Sequence, residues 1–136
     1  MSEIKKIVVV DDDKKVIMLV EKGLTEKGFQ VLSAVDGKKA LELVETEKPD
    51  VVVTDVLQPG LDGVSLCNVV KNDPLLSHIK VIVISGVYNE TSFRLEMSCR
   101  PDGFVEKPID MNKLADMVIA KIDKYSDSFD NRGDIE

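Results

Sequence analysis

At 136 residues the chain has the length of one ordinary domain and enough material for a sizeable core. Its 43% hydrophobic content is that of a globular chain and excludes a disordered one. A net charge of −7, from 25 acidic against 18 basic residues, argues against direct nucleic-acid binding, which needs a basic face to displace counterions.

The opening "MSEIKKIVVVDDD" holds no apolar segment long enough for a signal peptide, and no later run approaches a membrane span. The protein therefore reads as cytoplasmic, with no membrane partner. "KIVVV" (6–10) predicts a first strand. After it Val16, Leu19, Val20 and Leu24 recur at helical spacing, with Gly28 as a helix stop. "FQVLSA" (29–34) predicts the second strand; Ala40, Leu41 and Val44 mark a helix opened by Asp36-Gly37. "DVVVT" (50–54) predicts the third strand, followed by a helix carrying Leu66, Val69 and Val70 that ends before Pro74. "IKVIVIS" (79–85) predicts the fourth, then a weaker helix over 89–99 with Phe93 and Met97 as its inner face. "GFVE" (103–106) predicts the fifth, then a helix with Leu114, Met117, Val118 and Ile122, capped by Asp110. Residues 1–125 form the expected domain; 126–136, "SDSFDNRGDIE", read as an acidic tail or the start of a linker.

Several strands are continuously apolar, as expected where both faces of a parallel sheet are covered. Strand then helix, five times over, predicts an α/β fold: a doubly wound five-stranded parallel sheet of order 2-1-3-4-5 with five helices, flavodoxin-like. In that order strands one and three are neighbours whose connections leave to opposite faces. The crevice at their carboxyl ends is the expected ligand site.

Strand one runs into Asp11, Asp12 and Asp13, and strand three into Asp55. Two carboxylates about 4 Å apart repel by roughly 4 kcal/mol at a protein-like dielectric, so they would capture a proton or a cation. Hard oxygen ligands in a small open site suit Mg²⁺. Strand four ends in the hydroxyl of Ser85, and strand five in Lys107, just before Pro108. Singly, each feature is bland: a solvated turn, a helix cap, a surface lysine. Four suitable groups on one sheet edge together predict a phosphoryl site in which a carboxylate can be the nucleophile.

"VVVDDD", "TDVLQPGLDG", "VISG" and "FVEKP" stand in the order and at the spacings of a known family. Over roughly residues 4–124 the chain resembles a receiver domain of the two-component response regulators, either a stand-alone regulator of the chemotaxis or sporulation-relay type or a receiver cut from a longer chain. The resemblance implies Asp55 as phosphoacceptor, taking its phosphoryl group from a phosphohistidine of a sensor kinase or phosphotransfer protein. It implies Asp12 as a direct Mg²⁺ ligand, Asp11 acting through metal-bound water, and the Leu57 carbonyl as a further ligand. Ser85 and Lys107 would contact the phosphoryl oxygens, Lys107-Pro108 matches a cis bond, and Phe104 takes the switch-aromatic position. Output would pass through the fourth helix, fifth strand and fifth helix to a downstream protein. Such a receiver is no enzyme beyond its own phosphoryl transfer and slow autodephosphorylation.

Gln58 replaces a frequent Met and reads as a mild packing change; Gly86 replaces a common Ala. Arg100-Pro101 replaces a frequent Gly-Ala, which predicts an irregular end to the fourth helix. Apolar Leu57 and Val87 are expected to shield the acyl phosphate from water. His78 reads as exposed and inert, and Cys67 and Met97 as packing residues. Cys67 and Cys99, far apart in sequence and without metal spacing, read as free thiols, with a disulfide as the lesser alternative. Two other functions compete. A haloacid-dehalogenase-like phosphatase would use Asp11 of the D-x-D formed by Asp11-Asp12-Asp13, but the chain is short for that family and Asp55 would stay unexplained. An adaptor that never takes phosphate would have no use for the full set of site groups.

Overall fold

The computed structural model describes residues 4–58 and 60–122, so the expected tail at 126–136 lies outside the described residues. Five strands form one parallel sheet in the order β2-β1-β3-β4-β5, as the alternating pattern predicts. In chain order the elements are β1 (Lys6–Val10), α1 (Lys14–Glu26), β2 (Gln30–Ala34), α2 (Gly37–Glu47), β3 (Val51–Asp55), α3 (Gly63–Asn72), β4 (Lys80–Ser85), α4 (Glu90–Glu96) and β5 (Gly103–Glu106). A last helix, α5, follows over 111–122.

Alternate strand residues feed two separate cores. On one face Val8, Val10, Val52, Val81, Val83 and Phe104 pack with residues of α2, α3 and α4. On the other, Ile7, Val9, Val51, Val53, Ile82, Ile84 and Val105 pack with α1 and α5. Each fully buried valine or isoleucine contributes roughly 1.5–3 kcal/mol, so covering both faces is what selects the unbroken apolar runs.

Short polar side chains start the helices by accepting from backbone N–H groups that have no partner inside the helix. Asp13, Asp36, Asp62 and Asn89 cap α1 to α4, and Asp110 Oδ1 accepts from Asn112 N at 3.0 Å at the start of α5. Gly28, at φ 96°, ends the turn after α1. Not every expected apolar stripe is buried. Ile17 rather than Leu19 faces the core of α1, and Leu19 and Val69 are exposed. The expected helix over 89–99 spans only Glu90–Glu96; Phe93 is fully buried, whereas Met97 lies beyond the helix end. The chain then runs non-helically to β5 through Arg100 and Pro101, and the proline keeps Arg100, the residue before it, out of helical backbone.

Candidate functional site

Register alone brings the predicted groups to one edge. Val10 pairs with Thr54, so the residues that follow, Asp11 and Asp55, stand side by side. Asp55 pairs with Ile84, one before Ser85; Ser85 pairs with Glu106, one before Lys107. Because α1 leaves β1 toward one core and α3 leaves β3 toward the other, the crevice between them stays open at this edge.

Asp11, Asp12 and Asp55 each present a carboxylate oxygen, all within 4.8 Å of one another. Asp11 and Asp55 are buried while Asp12 is exposed. Lys107 bridges the buried pair, its Nζ 3.1 Å from Asp11 Oδ2 and 3.4 Å from Asp55 Oδ2. Burial first, and the neighbouring Asp11 charge second, push the Asp55 carboxyl above its usual range, only partly offset by Lys107. Burial pulls the Lys107 ammonium down, but the Asp11 and Asp55 carboxylates outweigh it and hold it above its ordinary value. One cation thus serves two desolvated anions.

Asp11 Oδ1 accepts from Asp13 N at 2.9 Å, while the buried Asp11 Oδ2 has only the Lys107 ammonium, at 3.1 Å, as a partner among the described residues. Two buried carboxylates and a third exposed one, their oxygens within 4.8 Å of one another and the buried pair sharing a single lysine, fit a small hard cation such as Mg²⁺. Asp13 turns away to cap α1, its side chain accepting from Lys15 N at 2.9 Å. Of the acid triplet, then, two face the crevice and one belongs to the helix.

Ser85 Oγ accepts from Val87 N at 3.0 Å and Tyr88 N at 2.8 Å, which ties its hydroxyl to the loop after β4. The Lys107-Pro108 peptide is cis. Leu57 and Val87 are both exposed, two residues beyond Asp55 and Ser85 respectively. Phe104 is buried away from the acids, its ring 5.2 Å from that of Phe93, which meets Tyr88 edge-on at 6.2 Å. His78 is exposed, two residues before the start of β4 and so at the opposite end of the sheet.

Several contacts around the site have no signature in the sequence. Gln58, read as a mild packing change, is a polar brace. Its Nε2 donates to Leu61 O at 2.9 Å, and its Oε1 accepts from the buried Thr54 Oγ1 at 3.3 Å. Gly63 is required by close approach, because a Cβ there would overlap the Asp55 carbonyl oxygen. The turn after the acid is thereby pressed against the strand that carries it. Cys67 and Cys99 are free thiols, as expected, yet the fold brings them into one buried cluster where each influences the other.

The response regulator receiver domain family matches residues 7–119. The chain belongs to that family. Its alignment to the alkaline phosphatase synthesis transcriptional regulatory protein PhoP of Bacillus subtilis is 36% identical over 104 residues, 76% of this chain and 42% of that protein. The chain therefore spans less than half of that relative. A signal receiver domain of a signal transduction histidine kinase from Syntrophus aciditrophicus superposes with a TM-score of 0.80 at 28% identity, covering 88% of this chain and 91% of that one. A CheY-like receiver domain protein from Methanospirillum hungatei shares the fold at a TM-score of 0.81 and 23% identity, covering 93% and 99% of the two chains. The receiver is a signalling module rather than an enzyme with an external substrate, and the phosphatase reading gives way to it. No helix of the described residues is long and apolar enough to cross a membrane.

Proposed function

We propose that this receiver takes a phosphoryl group onto Asp55 from the phosphohistidine of a sensor kinase or phosphotransfer protein. The observation that supports this most is the shared lysine: Asp55 Oδ2 lies 3.4 Å from Lys107 Nζ at the mouth of a crevice whose other acids, Asp11 and Asp12, lie within reach of one ion. A carboxylate raised by burial binds a proton more readily, so it needs neighbouring positive charge to stay ionised and attack phosphorus.

Asp11, Asp12, Asp55 and the Leu57 carbonyl would hold Mg²⁺, which supplies charge neutralisation for the transferring oxygens. Lys107 then pairs with a phosphoryl oxygen as the acid it bridged becomes an acyl phosphate. Ser85 donates its hydroxyl to a second oxygen. In doing so the Oγ turns away from Val87 N and Tyr88 N, and the β4–α4 loop must rearrange. Tyr88, Phe93 and Phe104 are the rings that repack, so the change emerges on α4, β5 and α5, the face offered to a downstream protein. Residues 1–125 are the receiver in this reading, with 126–136 an acidic tail or linker start; the setting is the cytoplasm, with no direct nucleic-acid contact by this domain.

The test is incubation with acetyl phosphate and Mg²⁺, read by intact mass. One phosphoryl adduct on the wild type and none on Asp55→Asn is the expected result. A folded wild type without adduct would instead support the phosphate-independent adaptor. An adduct that persists in Asp55→Asn and disappears in Asp11→Asn would restore the phosphatase-like assignment.

A further inference from the structure

The two cysteines share one buried cluster although they lie on separate elements. Cys67 is on α3 and Cys99 in the segment leading from α4 to β5, and both are buried. Each thiol perturbs the ionisation of the other. The flanking residues tie the same two pieces of chain together: Asn68 Nδ2 donates to Ser98 Oγ at 3.3 Å, and Lys71 Nζ pairs with Asp102 Oδ2 at 2.6 Å. The sulfurs are thus held in place by a polar cross-link on either side.

A pair of buried thiols is ordinarily inert packing. Here one of them has access. Cys99, with Arg94, Met97, Ser98 and Arg100, lines a cavity of about 210 Å³, room for a small polar reagent. The pair is also unequal. The neighbouring Cys67 thiol lowers the Cys99 thiol below its usual range, against the opposing effects of burial and of Asp62. The same pairing, followed by burial, raises Cys67. The thiol that reaches the cavity is the one that more readily becomes a thiolate, the form that reacts.

We propose that Cys67 and Cys99 are a peroxide-oxidised dithiol that closes to an intramolecular disulfide, stapling α3 to the segment that feeds β5. The Cys99 thiolate attacks one peroxide oxygen; the O–O bond breaks, the other oxygen leaves as hydroxide and takes up a proton, and Cys99 becomes a sulfenic acid. The Cys67 sulfur then attacks the Cys99 sulfur, the S–O bond breaks and water leaves. Two thiols are oxidised and one hydrogen peroxide is reduced to two waters. The staple fixes the segment carrying Met97 to Asp102 against α3, immediately before Phe104. This step is independent of whether Asp55 takes phosphate.

The reduced full-length protein is treated with hydrogen peroxide while folded, then unfolded in urea, alkylated with iodoacetamide and weighed intact. The expected product is about 2 Da lighter than the reduced protein, takes no alkylation, runs as a monomer without reductant and regains both thiols with dithiothreitol. Peptide mapping links Cys67 to Cys99. Cys67→Ser, or Cys67→Ala if the serine variant does not fold by circular dichroism, is expected to stop at the sulfenic acid on Cys99, trapped by dimedone. Two alkylatable thiols left under conditions that oxidise free glutathione would overturn the proposal. Oxygen adducts without the internal link, or cross-linked dimers, would overturn it equally.

Discussion

Replacing Asp55 by Asn should stabilise the fold when no divalent cation is present. Asp55 and Asp11 hold oxygens within 4.8 Å, a repulsion of roughly 332/(20 × 4.8), about 3.5 kcal/mol, at an effective dielectric of 20. The attraction lost with the charge is that of Lys107, 3.4 Å from Asp55 Oδ2, about 5 kcal/mol on the same scale. Taken alone, these pairings would favour the charged side chain by about 1.5 kcal/mol, less once the partial exposure of Lys107 is allowed for. Against that stands the desolvation of a carboxylate whose side chain is only 11% exposed, several kcal/mol for a buried ion. Desolvation decides the sign, in keeping with the raised Asp55 carboxyl. Asp55→Asn is expected to gain about 1–2 kcal/mol in urea unfolding with EDTA, and roughly 3–8 °C in Tm. Saturating Mg²⁺ should then narrow or invert the gap, because ligand at 100 times its Kd adds about 2.7 kcal/mol to the wild type alone. The exposed Asp12, replaced by Asn in EDTA, should change stability little. If Asp55→Asn proves less stable than the wild type in EDTA by more than about 1 kcal/mol, the crowding argument is wrong.

Three further perturbations test the surroundings of the acids. Gly63→Ala should cost about 2–3 kcal/mol in chemical unfolding and slow phosphoryl uptake, since the new methyl meets the Asp55 carbonyl; Gly86→Ala, whose Cβ would meet Lys107 carbons only at 3.6 Å, should be near neutral. Equal effects at both would refute the close-approach argument. Gln58→Ala should lose about 1 kcal/mol for its bonds to Leu61 and Thr54, whereas a neutral result would return it to the status of packing. Leu57→Asn should hasten loss of phosphate from Asp55, followed by mass after removal of the donor; an unchanged rate would show that exposed Leu57 shields nothing.

The central strands were legible because a sheet covered on both faces leaves no reason for alternation, and the apolar runs of β1, β3 and β4 answer to nothing else. Their ends were less so. Asp55 ends β3 as expected, but β2, β3 and β4 begin at Gln30, Val51 and Lys80, each one residue later than the apolar pattern suggests. The meeting of Asp11, Asp55, Ser85 and Lys107 at one edge followed from topology plus one-residue arithmetic at each strand end. What stayed hidden is what depends on tertiary contact. No local pattern could tell that Gln58 turns inward to Thr54, that Leu19 faces out while Ile17 faces in, or that two distant cysteines share one buried cluster. The length of α4 also escaped: Met97 and Cys99 continue the apolar spacing, but the chain leaves the helix at Glu96 and carries them into the core in another conformation.

That short helix has a consequence for how the edge and the far face are joined. Ser85 Oγ holds Tyr88 N, the Tyr88 ring meets Phe93 on α4, and Phe93 packs on Phe104 of β5. A helix of seven residues presents only one fully buried side chain, Phe93, so its position rests on that aromatic trio more than on its own length. In the proposed cycle, recruiting the Ser85 hydroxyl to phosphate removes the acceptor of two backbone N–H groups at one end of this chain of contacts. The loop must then seek new partners for them, and the element with the least independent anchorage is the one that moves. Phe93→Leu should therefore uncouple the two ends. Phosphoryl uptake at Asp55 would persist, while amide exchange in α4 would no longer respond to it; an unaltered response in that variant would refute the aromatic route.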